Sequence, residues 1–167
     1  MFKVLTIITL FFISATSFAD EEKNPDPLEG LNRGIWSFNE TAINSVARPV
    51  VDIYEAVTPK PVRNGIVNFF GNLNEIPNAA NSLLQGKVKQ AANDTGRFLI
   101  NTTLGLGGLF DVAKGVGLHA GEGEDFGQTL GAWGVAEGPY LVLPFLGPST
   151  LRDAPSKFVD NFTTPYT

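Results

Sequence analysis

The sequence predicts a mostly α-helical domain with little or no β-structure. Apolar residues recur at intervals of three and four along several segments, which is the period of an amphipathic helix. Runs of β-branched and aromatic residues that are typical of strands are scarce. The 167 residues include 18 Gly and 11 Pro, which divide the chain into several short helices of one modest domain.

The first 19 residues are typical of a secretory signal. Lys3 precedes an uncharged run over residues 4–13, and small and polar residues follow as far as Ala19. The apolar run of about ten residues is half the length that a membrane-spanning helix needs. We therefore expect cleavage after Ala19, a polar leader over residues 20–25, and a single helical domain over residues 26–167.

The first helix of this domain is predicted to begin at Asp26. Asp26 has the position of an N-cap, Pro27 is the first helical residue, and Glu29 follows three residues after the cap. Arg48-Pro49 is expected to break this helix, and residues 50–57 predict a second short helical piece. The broad apolar face of the first helix carries Leu28, Leu31, Ile35, Trp36, Phe38, Ala42, Ile43 and Val46.

Three further helices are predicted downstream. The first begins near Val62 and ends near Pro77, the second covers residues 87–103, and the third covers residues 150–162. Only residues 140–145 have the composition of a strand. Because Pro139 and Pro144 flank and interrupt this run, we expect a short edge strand or an extended connector.

Composition excludes several classes of function. Twelve Lys and Arg against 17 Asp and Glu give a net charge of −5, which disfavours nucleic-acid binding. The absence of Cys removes disulfides, thiolate nucleophiles and thiolate zinc sites, and a single histidine, His119, cannot form a multi-histidine metal site. We predict that the protein is not an enzyme, that it uses no cofactor or metal, and that it has no catalytic residue.

Two glycine-rich stretches could be mistaken for ligand loops. Gly105, Gly107 and Gly108 follow a helix instead of a strand and lack the third spaced glycine of a dinucleotide loop. They favour a flexible bend between apolar helical pieces. The acidic patch at Glu122, Glu124 and Asp125 lacks the alternating spacing of a calcium loop, so a solvated loop is expected there.

Asn32 and Asn39 fall inside the apolar face of the first helix instead of opposite it. One interpretation is that each amide satisfies buried backbone groups in a core. The other is that this face lines a channel of mixed polar and apolar character. The residues alone leave both interpretations open.

The amphipathic helices can either close a soluble core or lie flat in a bilayer leaflet, and periodicity does not decide between these arrangements. Trp36, Tyr54, Trp133 and Tyr140 are candidate anchors at a membrane interface. The polar faces carry Asn and acidic residues more than Lys, so apolar burial would have to hold the protein in a membrane.

Several stretches in order resemble the VacJ-like family, also called MlaA, over residues 26 to about 153. The shared stretches in this sequence are DPLEGLNR from Asp26, FN at Phe38, RP at Arg48, VRNG from Val62, NFFGNL from Asn68, LQG from Leu84, RFLINTTLGLGG from Arg97, DVA from Asp111, FGQTLG from Phe126, GPY from Gly138, LPF from Leu143 and LRD from Leu151.

The resemblance implies a compact, ring-like helical protein in the periplasmic leaflet of a Gram-negative outer membrane. Such a protein would remove mislocalised phospholipids from the outer leaflet through an amphipathic channel and pass them to a periplasmic lipid carrier, in association with a trimeric porin. The alternative is a soluble periplasmic structural or interaction protein without transport activity. If the protein transports phospholipid, the candidate residues of the channel lining and gate are Asn32, Asn39, Leu104, Gly105, Leu106, Gly107, Gly108, Leu109 and Phe110.

Two features differ from the usual pattern of this family. Its members usually carry a lipid-modified Cys at the end of the signal, whereas this sequence has none. They also usually continue well beyond the Leu-Arg-Asp motif, whereas this chain ends at Thr167. The expectation is therefore a C-terminally truncated domain that is exported by a cleavable signal and held by burial of its helices and by porin contact.

Overall fold

The computed structural model describes residues 26–164. The predicted signal and polar leader lie outside the described residues. The prediction of a mostly helical domain is confirmed. In chain order the elements are α1 (Glu29–Ala42), a π-helical segment (Ile43–Ala47), α2 (Arg48–Val57), α3 (Lys60–Leu84), α4 (Val88–Thr103), a 3₁₀ turn (Ala113–Val116), α5 (Phe126–Ala132), β1 (Tyr140–Leu143), β2 (Gly147–Thr150) and α6 (Asp153–Thr163).

The predicted helix start with Asp26 as the N-cap is wrong. The first helix begins at Glu29, and Leu28 holds the N-cap position without a side-chain capping bond. Asp26 lies in the turn before the helix, where its Oδ1 accepts a hydrogen bond from the backbone N–H of Leu28 at 2.9 Å. Both carboxylate oxygens of Asp26 also accept from the side-chain amide of Asn32, at 3.1 and 2.9 Å, so Asp26 orients a polar side chain of the first helix.

The predicted break at Arg48-Pro49 is wrong. The chain stays helical from α1 through the π-helical segment into α2. Pro49 lies in the first turn of α2 and lacks the N–H that a continuing helix would use. The wider π turn shifts the hydrogen-bond register just before the proline, so the helix continues without the usual clash.

The predicted end of the next helix near Pro77 is also wrong. Helix α3 begins at Lys60 and continues through Pro77 to Leu84. Two buried polar side chains beyond the proline are tied to other elements: Asn81 donates to the carbonyl of Glu124 at 3.3 Å, and Ser82 donates to Asp94 at 3.4 Å. These tertiary contacts keep the last two turns helical, although local propensity alone would not.

Helix α4 confirms the prediction for residues 87–103, whereas α5 was not predicted. Gly127 and Gly131 weaken the helical signal of this short segment. The side chain of Asp125 accepts from the N–H of Gln128 at 2.7 Å, which is the geometry of an N-cap. The spacing of Asp125 and Gln128 was therefore a helix-start signal that the apolar periodicity did not show.

Residues 140–150 form a β-hairpin. Tyr140 pairs with Thr150 and Leu143 pairs with Gly147 in an antiparallel register. The expectation of an extended segment at residues 140–145 holds for β1, but β2 was not predicted because its Gly-Pro-Ser-Thr sequence lacks strand composition. As a consequence the last helix begins at Asp153, later than the predicted residue 150, and the Oγ1 of Thr150 accepts from the N–H of Asp153 at 3.1 Å.

Most fully buried side chains of the described chain are polar, and many of its large apolar side chains are exposed. Three apolar side chains are fully buried, namely Ala91, Ala113 and Val142, against twelve polar or charged ones. At the same time 34 large apolar side chains among the described residues are exposed. Within residues 26–164 no helix is long and apolar enough to cross a membrane.

Candidate functional site

A buried ion-pair network joins α3 to α4 and is the centre of a row of polar contacts between these helices. The Arg97 Nε donates to Glu75 Oε1 at 2.6 Å, and its Nη1 lies 3.3 Å from Asp111 Oδ1. Nη1 also donates to the carbonyl oxygen of Leu118 at 2.7 Å. The side chains of Arg97 and Glu75 are about nine-tenths buried, so these charges depend on one another instead of on water.

Burial and charge act in opposite directions on this network. Burial raises the pKa of Glu75 by more than its bond to Arg97 lowers it. Burial also raises the pKa of Asp111, but the hydrogen bond from Asn101 and the charge of Arg97 together lower it below its ordinary value. Burial alone would lower the pKa of Arg97, yet its carboxylate partners raise it. The guanidinium therefore stays charged. Of its two carboxylate partners, Asp111 ionises more readily than Glu75.

The polar contacts continue along the same two helices to α5. Asp94, which is almost fully buried, accepts from Ser82 and from Gln90, the latter at 2.8 Å. The Thr129 hydroxyl donates to Asn81 at 2.9 Å and accepts from Gln85 at 3.1 Å. We call this whole set of buried groups, from Glu75, Arg97 and Asp111 to Thr129, the polar seam.

Asn32 and Asn39 attach α1 to the hairpin. Asn32 donates to the carbonyl of Tyr140 at 3.1 Å and accepts from the N–H of Val142 at 2.8 Å. Asn39 donates to the carbonyl of Leu143 at 2.9 Å and accepts from the N–H of Phe145 at 2.8 Å. Both amides thus satisfy backbone groups of the hairpin, and both side chains are buried.

An apolar groove of about 560 Å³ lies beside this attachment. One wall comes from α1 and the π-helical segment, and the other comes from the hairpin turn. The size and the apolar lining suit an organic ligand with a few polar contacts. The groove is lined by Trp36, Asn39, Glu40, Ala42, Ile43, Val46, Ala47, Phe145, Leu146, Gly147 and Pro148.

The glycine stretch after α4 forms a turn with a pinned backbone. The N–H of Gly108 donates to the carbonyl of Asn101 at 2.8 Å, and the N–H of Phe110 donates to the carbonyl of Gly105 at 3.0 Å. A side chain at Gly105 would overlap backbone oxygens, and at Gly108 it would overlap Asn72, so both positions require glycine. The side chains of Leu104, Leu106, Leu109 and Phe110 all lie exposed on this turn.

Comparisons with known proteins match nearly all of the domain. The sequence profile of the MlaA lipoprotein family matches residues 24–167. This chain belongs to the MlaA lipoprotein family. An Escherichia coli K12 relative named intermembrane phospholipid transport system lipoprotein MlaA is 42% identical over 92% of this chain. A Haemophilus influenzae relative of the same name is 38% identical over 83% of it.

A solved structure also resembles the fold. It comes from work on the structural basis for maintenance of bacterial outer membrane lipid asymmetry, and it matches with a TM-score of 0.74 and 41% identity over 82% of this chain and 70% of its own. The present chain spans 62% of the E. coli relative and 56% of the H. influenzae relative. These MlaA relatives are named lipoproteins, whereas this sequence contains no cysteine.

The remaining residues singled out from the sequence are spread over the MlaA fold. Trp36 lies on α1, Tyr54 on α2, Trp133 at the end of α5 and Tyr140 on β1, and all four side chains are exposed. The Trp133 Nε1 donates to the carbonyl of Leu84 at 2.9 Å. The structure brings Trp36 and Asn39 together in the apolar groove, and it brings the Asn32 amide to the backbone of Tyr140. Their roles as anchors and channel lining stay predictions.

The polar seam was not predicted from the sequence. Its signal was a pair of polar stripes at helical spacing: Asn68, Asn72 and Glu75 on α3, and Asp94, Arg97 and Asn101 on α4. Among residues 26–164, no group of three or more acidic or histidine side chains could hold a metal ion.

Proposed function

We propose that this chain is the outer-membrane component of a phospholipid transport system. It removes mislocalised phospholipids from the outer leaflet through an amphipathic path and passes them to a periplasmic lipid carrier, which keeps the two leaflets asymmetric. The observation that carries this proposal is the inverted burial, with polar groups inside and large apolar side chains outside. Exposed apolar surface of this extent is typical of contact with a membrane or a partner.

The names of the MlaA relatives support the same proposal, as does the solved structure connected with outer-membrane lipid asymmetry. The chain itself would lie in the periplasmic leaflet, held by its exposed apolar side chains and by contact with a trimeric porin. Lipid transfer needs no covalent chemistry, and the difference in lipid binding between the path and the carrier would drive it.

The apolar groove and the turn after α4 are the proposed parts of the lipid path. Acyl chains would lie against Trp36, Ile43 and Phe145 in the groove, because each methylene removed from water contributes about 0.8 kcal/mol. Asn32 and Asn39 would line the path and also hold the hairpin wall in place. The exposed apolar side chains of residues 104–110, on a backbone pinned at Gly105 and Gly108, would form the gate.

The full chain, expressed in Gram-negative cells that lack their own copy, tests the proposal. We expect it in the outer-membrane fraction after a high-salt wash, with phospholipid copurifying and with less phospholipid in the outer leaflet than in cells without it. Release of the protein by osmotic shock, free of lipid, would instead support the soluble periplasmic alternative.

Asn39→Leu tests the lining role within the same cells. We expect outer-leaflet phospholipid to rise toward the level of cells without the protein, with the strains compared at equal amounts of folded protein because Asn39 also holds the hairpin. Asn44→Leu is the matched control, since Asn44 is exposed on the π-helical segment outside the groove lining. Equal lipid asymmetry in both variants would contradict a role for Asn39 in the path.

A further inference from the structure

One charged side chain, Glu40, interrupts the apolar groove between α1 and the hairpin turn. Of the described residues that line this groove, Glu40 alone is titratable. Trp36 lies four residues before it and Ile43 three residues after it, and both also line the groove. Residues at this spacing share one face of a helix, so apolar lining flanks Glu40 on both sides. Acyl chains alone would give this carboxylate no partner.

The Glu40 carboxylate and the Trp36 indole N–H are both available to a ligand. Glu40 is exposed and forms no ion pair or hydrogen bond within residues 26–164. Trp36 is 52% exposed, and its Nε1 has no hydrogen-bond partner in the same part of the chain. Asn39 differs, because both atoms of its amide already bond to the hairpin. Side chains four residues apart on a helix have Cβ atoms about 5 to 6 Å apart, so this donor and this acceptor are neighbours.

An acyl chain in the groove would take water away from Glu40. Moving a carboxylate into apolar surroundings without a partner is costly, so a ligand made of an alkyl chain alone would be opposed at this position. A ligand with a cationic group beside its chain would replace the water by a charge-assisted hydrogen bond. The face of the Trp36 ring adds a second favourable contact for a cation.

The two available groups also suit the phosphodiester of a phospholipid. The groove presents one carboxylate, and the Trp36 N–H offers a hydrogen-bond donor one helical turn away from it. A zwitterionic headgroup can place its ammonium at Glu40 and a phosphate oxygen at Trp36. A glycerol headgroup can donate only neutral hydroxyl bonds to Glu40, and its phosphodiester charge then stays near the carboxylate without compensation.

We propose that Glu40 and Trp36 form a headgroup site in the groove that prefers phosphatidylethanolamine over anionic phospholipids. This assignment rests on the proposed function, and it names the lipid class that the path selects. Glu40 binds the primary ammonium group and sets the preference between headgroups. Trp36 binds the phosphodiester that all these lipids share, so it raises the affinity for each of them. The two residues therefore have separable effects.

Lipid capture from mixed vesicles tests the role of Glu40. The full-length protein is incubated with vesicles of equal parts phosphatidylethanolamine and phosphatidylglycerol and repurified, and the bound lipids are quantified by mass spectrometry. We expect about threefold enrichment of the ethanolamine lipid, the size of a partly screened charge interaction. Glu40→Gln should bring the ratio toward one, and Glu40→Lys should reverse it in favour of phosphatidylglycerol.

Trp36→Phe is the complementary variant, because it removes the N–H donor and keeps an aromatic side chain. We expect less total lipid per protein at an unchanged ratio of the two lipids. Asp52→Asn is the matched control, since it removes an exposed carboxylate of α2 that lies outside the groove lining. It should keep both the wild-type ratio and the wild-type amount of lipid. Every variant is compared after circular dichroism has shown the helix content of the wild type.

The outcomes separate the headgroup site from the proposed function. A wild-type ratio of one, with lipid bound, overturns the headgroup site and leaves the proposed function standing. An enrichment that Glu40→Gln leaves unchanged does the same, and so does an Asp52→Asn variant that loses the preference equally, because the charge of the whole surface would then select the lipid. Binding of no lipid overturns both.

Discussion

The side chains of the polar seam and those of the helical arm, residues 43–57, have opposite surroundings. In the seam, Arg97, Glu75 and Asp94 are buried and find their partners within the chain. In the arm, every residue is exposed, including Val50, Ile53 and Val57. Since burying apolar surface is the dominant stabilising term in folding, the arm is a region whose apolar side chains require a surrounding that the described chain does not supply.

The largest expected effect comes from breaking the seam at its centre. Arg97→Met leaves Glu75 buried without its cation and should lower the free energy of unfolding by about 3 to 5 kcal/mol. Denaturant unfolding of the detergent-solubilised protein, followed by circular dichroism, measures this loss. Arg33→Met is the control, because Arg33 forms an exposed pair with Glu29 that should contribute about 0 to 1 kcal/mol.

The double variant Glu75→Leu/Arg97→Met sharpens that result. Removing both charges at once leaves no unpaired carboxylate at position 75, so the double variant should be more stable than Arg97→Met alone. If the double variant loses as much as the two single variants added together, the seam is held by packing and not by mutual charge compensation.

The link between α1 and the hairpin gives the next largest effect. Asn39→Ala leaves the N–H of Phe145 and the carbonyl of Leu143 without their partner, and we expect a loss of about 1 to 3 kcal/mol. Hydrogen exchange should show faster exchange of the Phe145 amide, while amides of α4 keep their protection. Uniform acceleration across both regions would instead mean that seam and hairpin unfold as one unit.

A change of pH should alter the contributions of Asp111 and Glu75 to the free energy of unfolding in opposite directions. The pKa of Asp111 is lowered from 3.8, so its contribution to stability is present above that pH and is lost as the pH falls through its folded value. The pKa of Glu75 is raised from 4.5, so its contribution is present below pH 4.5 and is lost as the pH rises through its folded value.

The corresponding variants separate these two effects. Asp111→Asn should flatten the stability curve on its acid side, and Glu75→Gln should flatten the decline above pH 4.5. Urea titrations at a series of pH values measure both slopes. Identical curves for the two variants would contradict the assignment of opposite shifts.

Local rules in the sequence were enough for the helices whose stability is local. The apolar period of α1 and the extent of α4 could both be predicted. The continuation of α3 past Pro77 could not, because contacts of Asn81 and Ser82 with distant elements hold it. Strand β2 has no strand composition and exists because it pairs with β1, which the amides of α1 hold in place.

The candidate site was likewise only partly predictable from the sequence. The position of Asn32 and Asn39 within an apolar face marked them as unusual, but only the fold shows that their partners lie more than 100 residues away along the chain. Arg97 and Glu75 are ordinary charges in the sequence, and their burial follows from the packing of α3 on α4. Periodicity shows which side of a helix is polar, and tertiary structure decides whether that side faces water.

The smallest effect on folding stability is expected for substitutions in the arm. They test whether its exposed apolar side chains serve membrane binding instead of folding. Val50→Ser/Ile53→Ser/Val57→Ser changes three exposed side chains of α2, so each substitution should alter the unfolding free energy in detergent by no more than about 0.5 kcal/mol. Retention in outer-membrane fractions should nevertheless fall, because apolar area that lipid or a partner covers contributes about 25 cal/mol per Å². Seam variants such as Arg97→Met should show the reverse, with lost stability and retained membrane binding of the folded fraction. A triple variant that unfolds readily in detergent would show that the arm packs within the protein and that its exposure is not an adaptation to an apolar surrounding.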